Sequence, residues 1–275
     1  MGKYTTYPLH RPDSMLWTMT ITLIILLILL IPCLLNGFWG QQRLPILMYH
    51  KVRPGPGDTL TVPLDVFKSQ LDALSTKGYQ AISFGDMCSA DAQLPQKPVL
   101  ITFDDAYADF EPYALTAMQE RGFKATVFLP VGHIGGTNVW DGGDEALMGW
   151  DDVRRLSSGT TEFGLHSWNH DNYRDLDLDA MREDLRRCRD KLNEERVPFV
   201  DVLAYPYGGF PRREPMRSQM KALFQSMGIH YAVRIGSRIE RTAPRDPHEV
   251  TRVGIQGMDR GLRFKLKLML GRTRL

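Results

Sequence analysis

The sequence predicts an α/β fold, a distorted (β/α) barrel of seven or eight strands, preceded by one N-terminal transmembrane helix. From Leu44 onward, short apolar runs alternate with longer amphipathic runs. Such alternation requires parallel strand pairing through right-handed crossovers. Seven or eight units in about 230 residues suit a closed or nearly closed barrel better than an open sheet. A separate, uncharged and largely apolar run at residues 16–35 predicts the membrane helix.

The N-terminal segment is interpreted as an uncleaved membrane anchor. Residues 16–35 are largely Ile and Leu, and no charged residue occurs between Asp13 and Arg43. A helix of that length extends about 30 Å, which matches the hydrocarbon core of a bilayer. A cleaved signal peptide is the alternative. Its apolar core usually runs to about 7–15 residues, and residues 31–36 lack the small-residue pattern of a cleavage site.

Charge bears on orientation and on partners. Lys3 and Arg11 precede the apolar run, and Arg43 and Lys51 follow it at a greater average distance. This bias favours a cytoplasmic N-terminus and a single-pass protein whose catalytic part is extracytoplasmic. The whole chain has 34 basic and 32 acidic residues, a formal charge of +2, so there is no electrostatic case for a nucleic-acid partner. No protein partner can be deduced.

The cysteines exclude two further classes of protein. There are 3 of them, and no two form a CxxC pair. This is too few for a disulfide scaffold and does not match a cysteine zinc cluster. Whether Cys88 and Cys188 pair is left open.

The units of the barrel are assigned from apolar periodicity and from glycine at helix ends. The predicted strands are 45–49, 79–83, 99–103, 125–129, 161–165, 202–205, 230–234 and 252–255. The predicted helices are 65–77, 110–121, 151–157, 179–195 and 214–227. Gly78, Gly122 and Gly228 follow three of these helices, as is typical of a C-cap. No repeat or long linker divides residues 44–256, which we interpret as one catalytic domain after the tail and anchor, 1–43.

The C-terminal segment, 257–275, has a different pattern. Leu262, Phe264, Leu266 and Leu268 alternate with basic residues. Alternation predicts a strand with one apolar face, and a short interfacial helix is the alternative. Its positive charge suggests contact with anionic lipid or lipopolysaccharide, with a solvated basic tail as the other interpretation.

Polar side chains follow two of the predicted strands, where a parallel barrel has its catalytic mouth. Asp104 and Asp105 come directly after one strand, and His166 and His170 after another. Two His and one Asp form a typical ligand set for a borderline metal, and the second carboxylate is then free to act as a base on water. An HxxxH alone is more often surface or packing, and a lone Asp pair is more often a solvated turn. Their joint position at strand ends favours the metal site.

These residues resemble the motifs of the polysaccharide deacetylase family, the NodB-homology domain. LITFDD at 100–105 is similar to its first motif, HSWNH at 166–170 to its second, and AYPYG at 204–208 to its third. PILMYHKV at 45–52 resembles the start of the branch that deacetylates poly-N-acetylglucosamine. The likeness covers nearly all of residues 44–256.

The resemblance implies a role for each matched residue. Three residues would hold a divalent metal, commonly zinc, namely Asp105, His166 and His170. Asp104 would be the general base that activates water, and the backbone N–H of Tyr207 would stabilise the oxyanion. The family usually supplies a late histidine as general acid. Here 253–257 contains none, and His50 is expected to replace it.

Two positions depart from the family's motifs. Ala106 stands where the family usually has the glycine that eases a positive-φ turn. Ala204 stands where it usually has an arginine that orients the base, which leaves the control of the base's pKa unexplained. Trp168, between the two histidines, is expected to stack on a sugar ring in preference to Trp140 and Trp150, because a pyranose offers an apolar face to an aromatic ring.

The function predicted from these features is metal-dependent N-deacetylation of amino sugars in a polysaccharide or glycolipid, with release of acetate, by an enzyme anchored in a membrane. One alternative is a carbohydrate-binding pseudoenzyme, which the two alanines and the absent late histidine would fit. The other is a hydrolase of small non-sugar amides on the same barrel. The intact pair of aspartates and pair of histidines argue against the first, and the anchor argues against the second.

Overall fold

The computed structural model describes residues 22, 24, 43–89, 91, 93–157 and 159–273. The chain divides into two units, Met1–Gln41 and Gln42–Leu275, and the second contains the fold described below. The predicted membrane span, residues 16–35, lies outside the described residues except for Thr22 and Ile24. Among the described residues, no helix is long and apolar enough to cross a bilayer.

Seven parallel strands close the predicted barrel. In ring order they are β2 Ile46–Tyr49, β12 Val250–Gly254, β10 Tyr231–Gly236, β9 Val202–Ala204, β8 Thr161–Leu165, β7 Ala125–Leu129 and β6 Pro98–Phe103. Pairing of β2 with β6 completes the ring, with Met48 opposite Thr102. All six residues of β6 are buried, as expected for a parallel strand covered on both faces. The structure thus confirms the (β/α) barrel.

Short strands flank this ring. The β5 strand, Gln80–Ile82, pairs with the first half of β6. The remaining pairs are β1 Arg43–Leu44 with β11 Glu240–Arg241, antiparallel, and β3 Lys51–Arg53 with β4 Thr61–Pro63, parallel.

Helices follow most of the strands. They are α1 Leu64–Thr76, α2 Phe84–Cys88, a π-helical turn Phe110–Leu115 continued by α3 Thr116–Gln119, α4 Trp150–Leu156, α5 Leu178–Glu194, α6 Met216–Ser226 and α7 Gly261–Leu270. Gly78 and Gly228, just beyond α1 and α6, both have a φ of 73°, which confirms them as left-handed C-caps. Asp177 begins α5 by accepting a 2.8 Å hydrogen bond from the N–H of Ala180.

The barrel interior is filled in layers, because alternate residues of each strand point inward. The lowest layer is apolar and includes Ile46, Leu100, Phe128, Val202 and Val250. Two residues further along the same strands, the layer consists of Met48, Thr102, Ala204 and Arg252. Another two residues along, past the strand ends, come His50 and Asp104. The strand period therefore places the polar residues at the mouth of the barrel.

The C-terminal segment differs from the predicted strand. Gly261–Leu270 is the helix α7, and Phe264 and Leu268, one helical turn apart, are both buried. Before it, the buried carboxylate of Asp259 accepts hydrogen bonds from Arg263 at 2.9 Å and Lys267 at 2.6 Å. The helix does not separate the alternating apolar and basic residues onto two faces, since Leu262 is 71% exposed and Lys267 is partly buried. Only Phe264 and Leu268 face the core.

The two described cysteines are both free. Cys88 is exposed at the end of α2, and Cys188 is fully buried within α5. Cys88 and Cys188 therefore do not form a disulfide with each other.

Candidate active site

Asp105, His166 and His170 meet at the mouth of the barrel. The Asp105 Oδ1 atom lies 3.3 Å from Nε2 of each histidine, and all three side chains are buried. One ligand atom from each residue can be chosen so that all lie within 4.8 Å of one another. The structure thus brings together the three residues that the sequence analysis expects to bind a metal.

The state of each atom in this group fits a bound cation. His166 Nδ1 lies 2.7 Å from the carbonyl oxygen of Ala204; donating its proton there leaves Nε2 free as an electron-pair donor. Burial alone would raise the pKa of Asp105, but the two imidazoles 3.3 Å from its Oδ1 atom hold that pKa well below its usual range. Asp105 Oδ1 is buried and accepts no hydrogen bond from the described residues. A buried carboxylate oxygen in that state is suited to a metal ion.

The backbone around this group is strained. Six non-glycine residues in the described chain have positive φ, and five of them lie here. They are Asp105, Ala106, Ser167, His170 and Tyr207. Left-handed φ at such residues costs about 1–3 kcal/mol each and clusters at functional sites. Ala106 adopts a φ of 55° without the expected glycine, so its presence does not prevent the turn that brings Asp105 into the cavity.

Asp104 is bound by a buried arginine. Arg252 Nη1 donates to Oδ1 at 2.6 Å and Nη2 to Oδ2 at 2.7 Å, and Arg252 is fully buried. Burial alone would raise the pKa of Asp104, but the charge of Arg252, followed by that of His166, holds it below its ordinary value. Arg252 thus supplies the orienting cation that the family's motif usually has at the position of Ala204. It reaches Asp104 from β12, on the other side of β2 from β6.

An open cavity of about 370 Å³ lies above these residues. Its walls include all the expected catalytic and metal-binding residues, namely His50, Asp104, Asp105, His166, His170 and Tyr207. His50 follows β2, across the cavity mouth from the two histidines after β8. Tyr207 lies in the 3₁₀ turn Pro206–Gly208 with φ 57°, and its ring meets His170 edge-on at 4.6 Å.

Trp168 does not line the cavity, although the sequence analysis expects it to stack on a sugar. The guanidinium of Arg187 lies 4.2 Å from the centre of its ring. Its indole edge packs against Gly132, where an added Cβ would lie 2.6 Å from Nε1. The indole that contacts a ligand histidine is instead Trp140, stacked on His170 with a centroid distance of 4.5 Å and an interplanar angle of 21°.

Arg252 is the residue that the sequence analysis missed in this role. There it is placed only in the predicted strand 252–255. A signal was present in the sequence. Arg252 lies two residues after Val250 in the strand Val250–Gly254, so both side chains point into the barrel, and a buried arginine needs a charged or hydrogen-bonding partner. Its partner is 148 positions away in the chain.

Comparison with known proteins agrees with this site. The model of the polysaccharide deacetylase family matches residues 91–231, about half of the chain. The chain belongs to the polysaccharide deacetylase family. The matched region contains both aspartates and both histidines, whereas His50 and Arg252 lie outside it on either side.

Two curated relatives extend the comparison. YxkH of Bacillus subtilis, whose name places it among the polysaccharide deacetylases, is 37% identical over 68% of this chain and 64% of its own length. The poly-beta-1,6-N-acetyl-D-glucosamine N-deacetylase of Escherichia coli is 28% identical over 48% of this chain and 21% of its own length. The chain therefore spans less than two thirds of either relative. Their similarity supports the family and its poly-N-acetylglucosamine branch.

A solved structure has the same fold. The Streptococcus pyogenes deacetylase PplD, determined in complex with acetate, is 20% identical and aligns with a TM-score of 0.66 over 82% of this chain and 98% of that one.

Proposed function

We propose that this protein is a metal-dependent N-deacetylase that hydrolyses the N-acetyl groups of amino sugars in a polysaccharide or glycolipid. The observation that carries the proposal is the buried Asp105, His166 and His170 group, whose ligand atoms converge beside a second ionised carboxylate at the barrel mouth. Family membership supports the reaction class. The name of the Escherichia coli relative supports an N-acetylated amino sugar as the substrate.

The three converging residues would hold a divalent ion, with zinc the best match to two imidazoles and a carboxylate. When bound, such an ion acts as a Lewis acid on the amide carbonyl and on water. The protein's own part is to present the ligand atoms deprotonated. The hydrogen bond from His166 Nδ1 to the Ala204 carbonyl favours the tautomer whose lone pair is on Nε2, and the lowered pKa of Asp105 keeps its carboxylate ionised.

Asp104 would take a proton from the attacking water. Its two hydrogen bonds to Arg252 keep the carboxylate ionised and fix its plane, so that its remaining lone pairs are available at the cavity. A carboxylate with a lowered pKa is a weak base. The advantage of Asp104 is its position, because it directly follows β6, points into the barrel and is next to Asp105.

His50 would donate a proton to the departing nitrogen from the other side of the mouth, and the N–H of Tyr207 would stabilise negative charge on the carbonyl oxygen. In the balanced reaction, water adds hydroxyl to the acetyl carbon, the C–N bond breaks, and the nitrogen gains the proton. The products are acetate and a free amine.

Acetate release tests the proposal. Metal-free full-length protein in detergent would be supplied with Zn²⁺ or Co²⁺ and N-acetylglucosamine oligomers. We expect release that needs the metal and that falls about 10²–10⁴-fold in Asp104→Asn. Asp86→Asn is the matched control, because Asp86 caps α2 and pairs with Lys124 outside the cavity.

Three results would contradict the proposal. Saccharide binding without acetate release would indicate the pseudoenzyme. Turnover of small amides that is insensitive to oligomer length would indicate the small-amide hydrolase. Equal rates for Asp104→Asn and Asp86→Asn would remove Asp104 from the reaction.

We also propose a single-pass membrane protein with the barrel outside the cytoplasm. The support is the apolar run at 16–35 and the small basic bias before it. Protease added to intact spheroplasts should digest the catalytic unit. Protection of that unit until the cells are lysed would contradict the orientation.

A further inference from the structure

The two histidine ligands lie in one loop whose backbone is strained. This ligand loop, residues 166–173, follows β8 and precedes α5. Ser167 and His170 both have left-handed φ, 68° and 63°, although neither is glycine. Residues in such conformations persist only where the surroundings hold them. The contacts that hold the loop therefore bear directly on where the two imidazoles point.

One buried carboxylate from the next helix holds this loop. Asp184, in the middle of α5, is 7% exposed. Its Oδ1 accepts hydrogen bonds from the N–H of Trp168 at 2.7 Å and from Ser167 Oγ at 3.1 Å. Its Oδ2 accepts one from the hydroxyl of Tyr173 at 2.5 Å. All three partners belong to the ligand loop.

These hydrogen bonds hold the loop on both sides of the two histidines. Ser167 and Trp168 directly follow His166. Ser167 Oγ also accepts a 2.9 Å hydrogen bond from the N–H of Asp171, the residue after His170. Asp184 is thus linked through a single hydroxyl to the far side of the second histidine. The opposite side of the loop is held by backbone bonds to Val131 and Gly132.

We propose that Asp184 is a positioning residue for the metal site, which fixes the ligand loop so that Nε2 of His166 and Nε2 of His170 face Asp105 before any ion binds. The inference rests on the proposed metal-dependent function. Asp184 touches neither the cavity nor a ligand side chain, and its effect passes through the loop backbone and Ser167. Outer groups that orient metal ligands typically contribute about 10–100-fold to metal affinity.

Glu162 provides a matched control on the same strand that leads into the loop. Its carboxylate also accepts three hydrogen bonds, from the N–H groups of Phe84 at 3.0 Å and Gly85 at 2.7 Å and from Thr126 Oγ1 at 2.8 Å. Glu162 lies near the start of β8, whereas His166 follows its end. Loss of Glu162 should therefore affect the fold without affecting the imidazoles.

The test measures metal binding rather than turnover. Metal-free full-length wild type, Asp184→Asn and Glu162→Gln would be titrated with Zn²⁺ against a chromophoric chelator, and the Co²⁺ absorption spectrum would be recorded for each. Unfolding of the metal-free proteins would be followed by circular dichroism. We expect Asp184→Asn to bind Zn²⁺ about 10–100-fold more weakly, with an altered Co²⁺ spectrum. Glu162→Gln should keep the affinity and spectrum of wild type even where its stability falls.

The outcomes separate this inference from the proposed function. Wild-type affinity in Asp184→Asn, or an equal loss in Glu162→Gln, would overturn the positioning role alone. A wild type that binds no Zn²⁺ would overturn the proposed function and the positioning role together. Should Asp184→Asn not fold, Ser167→Ala removes the link to Asp171 while leaving Asp184 in place. Unchanged affinity in that variant would equally refute the role.

Discussion

Replacing Arg252 with methionine should destabilise the protein strongly at neutral pH and much less in acid. The substitution keeps a long side chain in the barrel but leaves the Asp104 carboxylate buried without its cation. The two side chains are 0% and 4% exposed, and two hydrogen bonds of 2.6 and 2.7 Å join them. Hydrogen bonds to charged groups contribute about 1.5–3 kcal/mol each. Removing one member of a buried pair costs about 3–5 kcal/mol, the same range.

The pH dependence follows from the pKa of Asp104. In the wild type this pKa lies below its ordinary value, so the pair stabilises the fold above the unfolded-state pKa, and that contribution is lost as pH falls through the folded-state pKa. In Arg252→Met, burial remains and the cation is gone, so the pKa of Asp104 rises above its ordinary value. The variant then folds best with Asp104 protonated. The difference in stability between the two proteins should shrink as pH falls through the raised pKa of Asp104 in the variant, so it should be smaller at about pH 4 than at pH 7.

Urea unfolding of metal-free protein, followed by tryptophan fluorescence at pH 7 and at about pH 4, measures this effect. The control is Arg186→Met, because Arg186 pairs with Glu183 and Asp190 on the exposed face of α5 and should change stability little at either pH. If Arg252→Met lowers the free energy of unfolding by less than about 1 kcal/mol at pH 7, the reasoning is refuted, because breaking a buried ion pair should cost more. An equal loss at both pH values would refute it as well.

Three further pairs of substitutions separate local roles. In chemical unfolding, Ala106→Val should destabilise the protein by about 2 kcal/mol, because a β-branched residue fits the left-handed turn poorly. Ala106→Gly should change the stability by less than about 1 kcal/mol. Equal effects of the two substitutions would contradict this reasoning. Trp140→Ala should lower kcat/KM up to about tenfold, because it removes the ring stacked on His170. Trp168→Ala should leave KM unchanged. A raised KM in Trp168→Ala with an unchanged kcat/KM in Trp140→Ala would restore Trp168 as the residue that stacks on the sugar. Phe264→Ala should lower the free energy of unfolding by about 3–5 kcal/mol, whereas Leu262→Ala should change it little because Leu262 is exposed. Equal unfolding midpoints for the two variants would show that α7 does not contribute to the core.

The site shows how far strand periodicity can be followed from the sequence. Because inward residues recur every second position, Asp104 was expected at the barrel mouth once the strand before it was recognised, and His50 by the same reasoning. The C-terminal segment shows where periodicity fails. Seven residues that alternate in polarity satisfy the strand period, yet the burial of Phe264 and Leu268 on one side shows a helix. Packing decides between two periods that a short pattern cannot distinguish.

The sequence by itself determined the closed (β/α) barrel, the family and the three residues that converge on the candidate metal site. These depend on local patterns, since a strand, the polar residues after it and a four-residue spacing are all encoded within a few positions. Only the tertiary structure decided how the base is held, which indole stacks on a ligand histidine and what supports the ligand loop. Arg252 reaches Asp104 because closure of the barrel brings β12 within one strand of β6. Trp140 reaches His170 from a later turn of the β7 loop, and Asp184 reaches the ligand loop from the following helix. Contacts of this kind arise from chain closure and helix packing, and no local pattern specifies them.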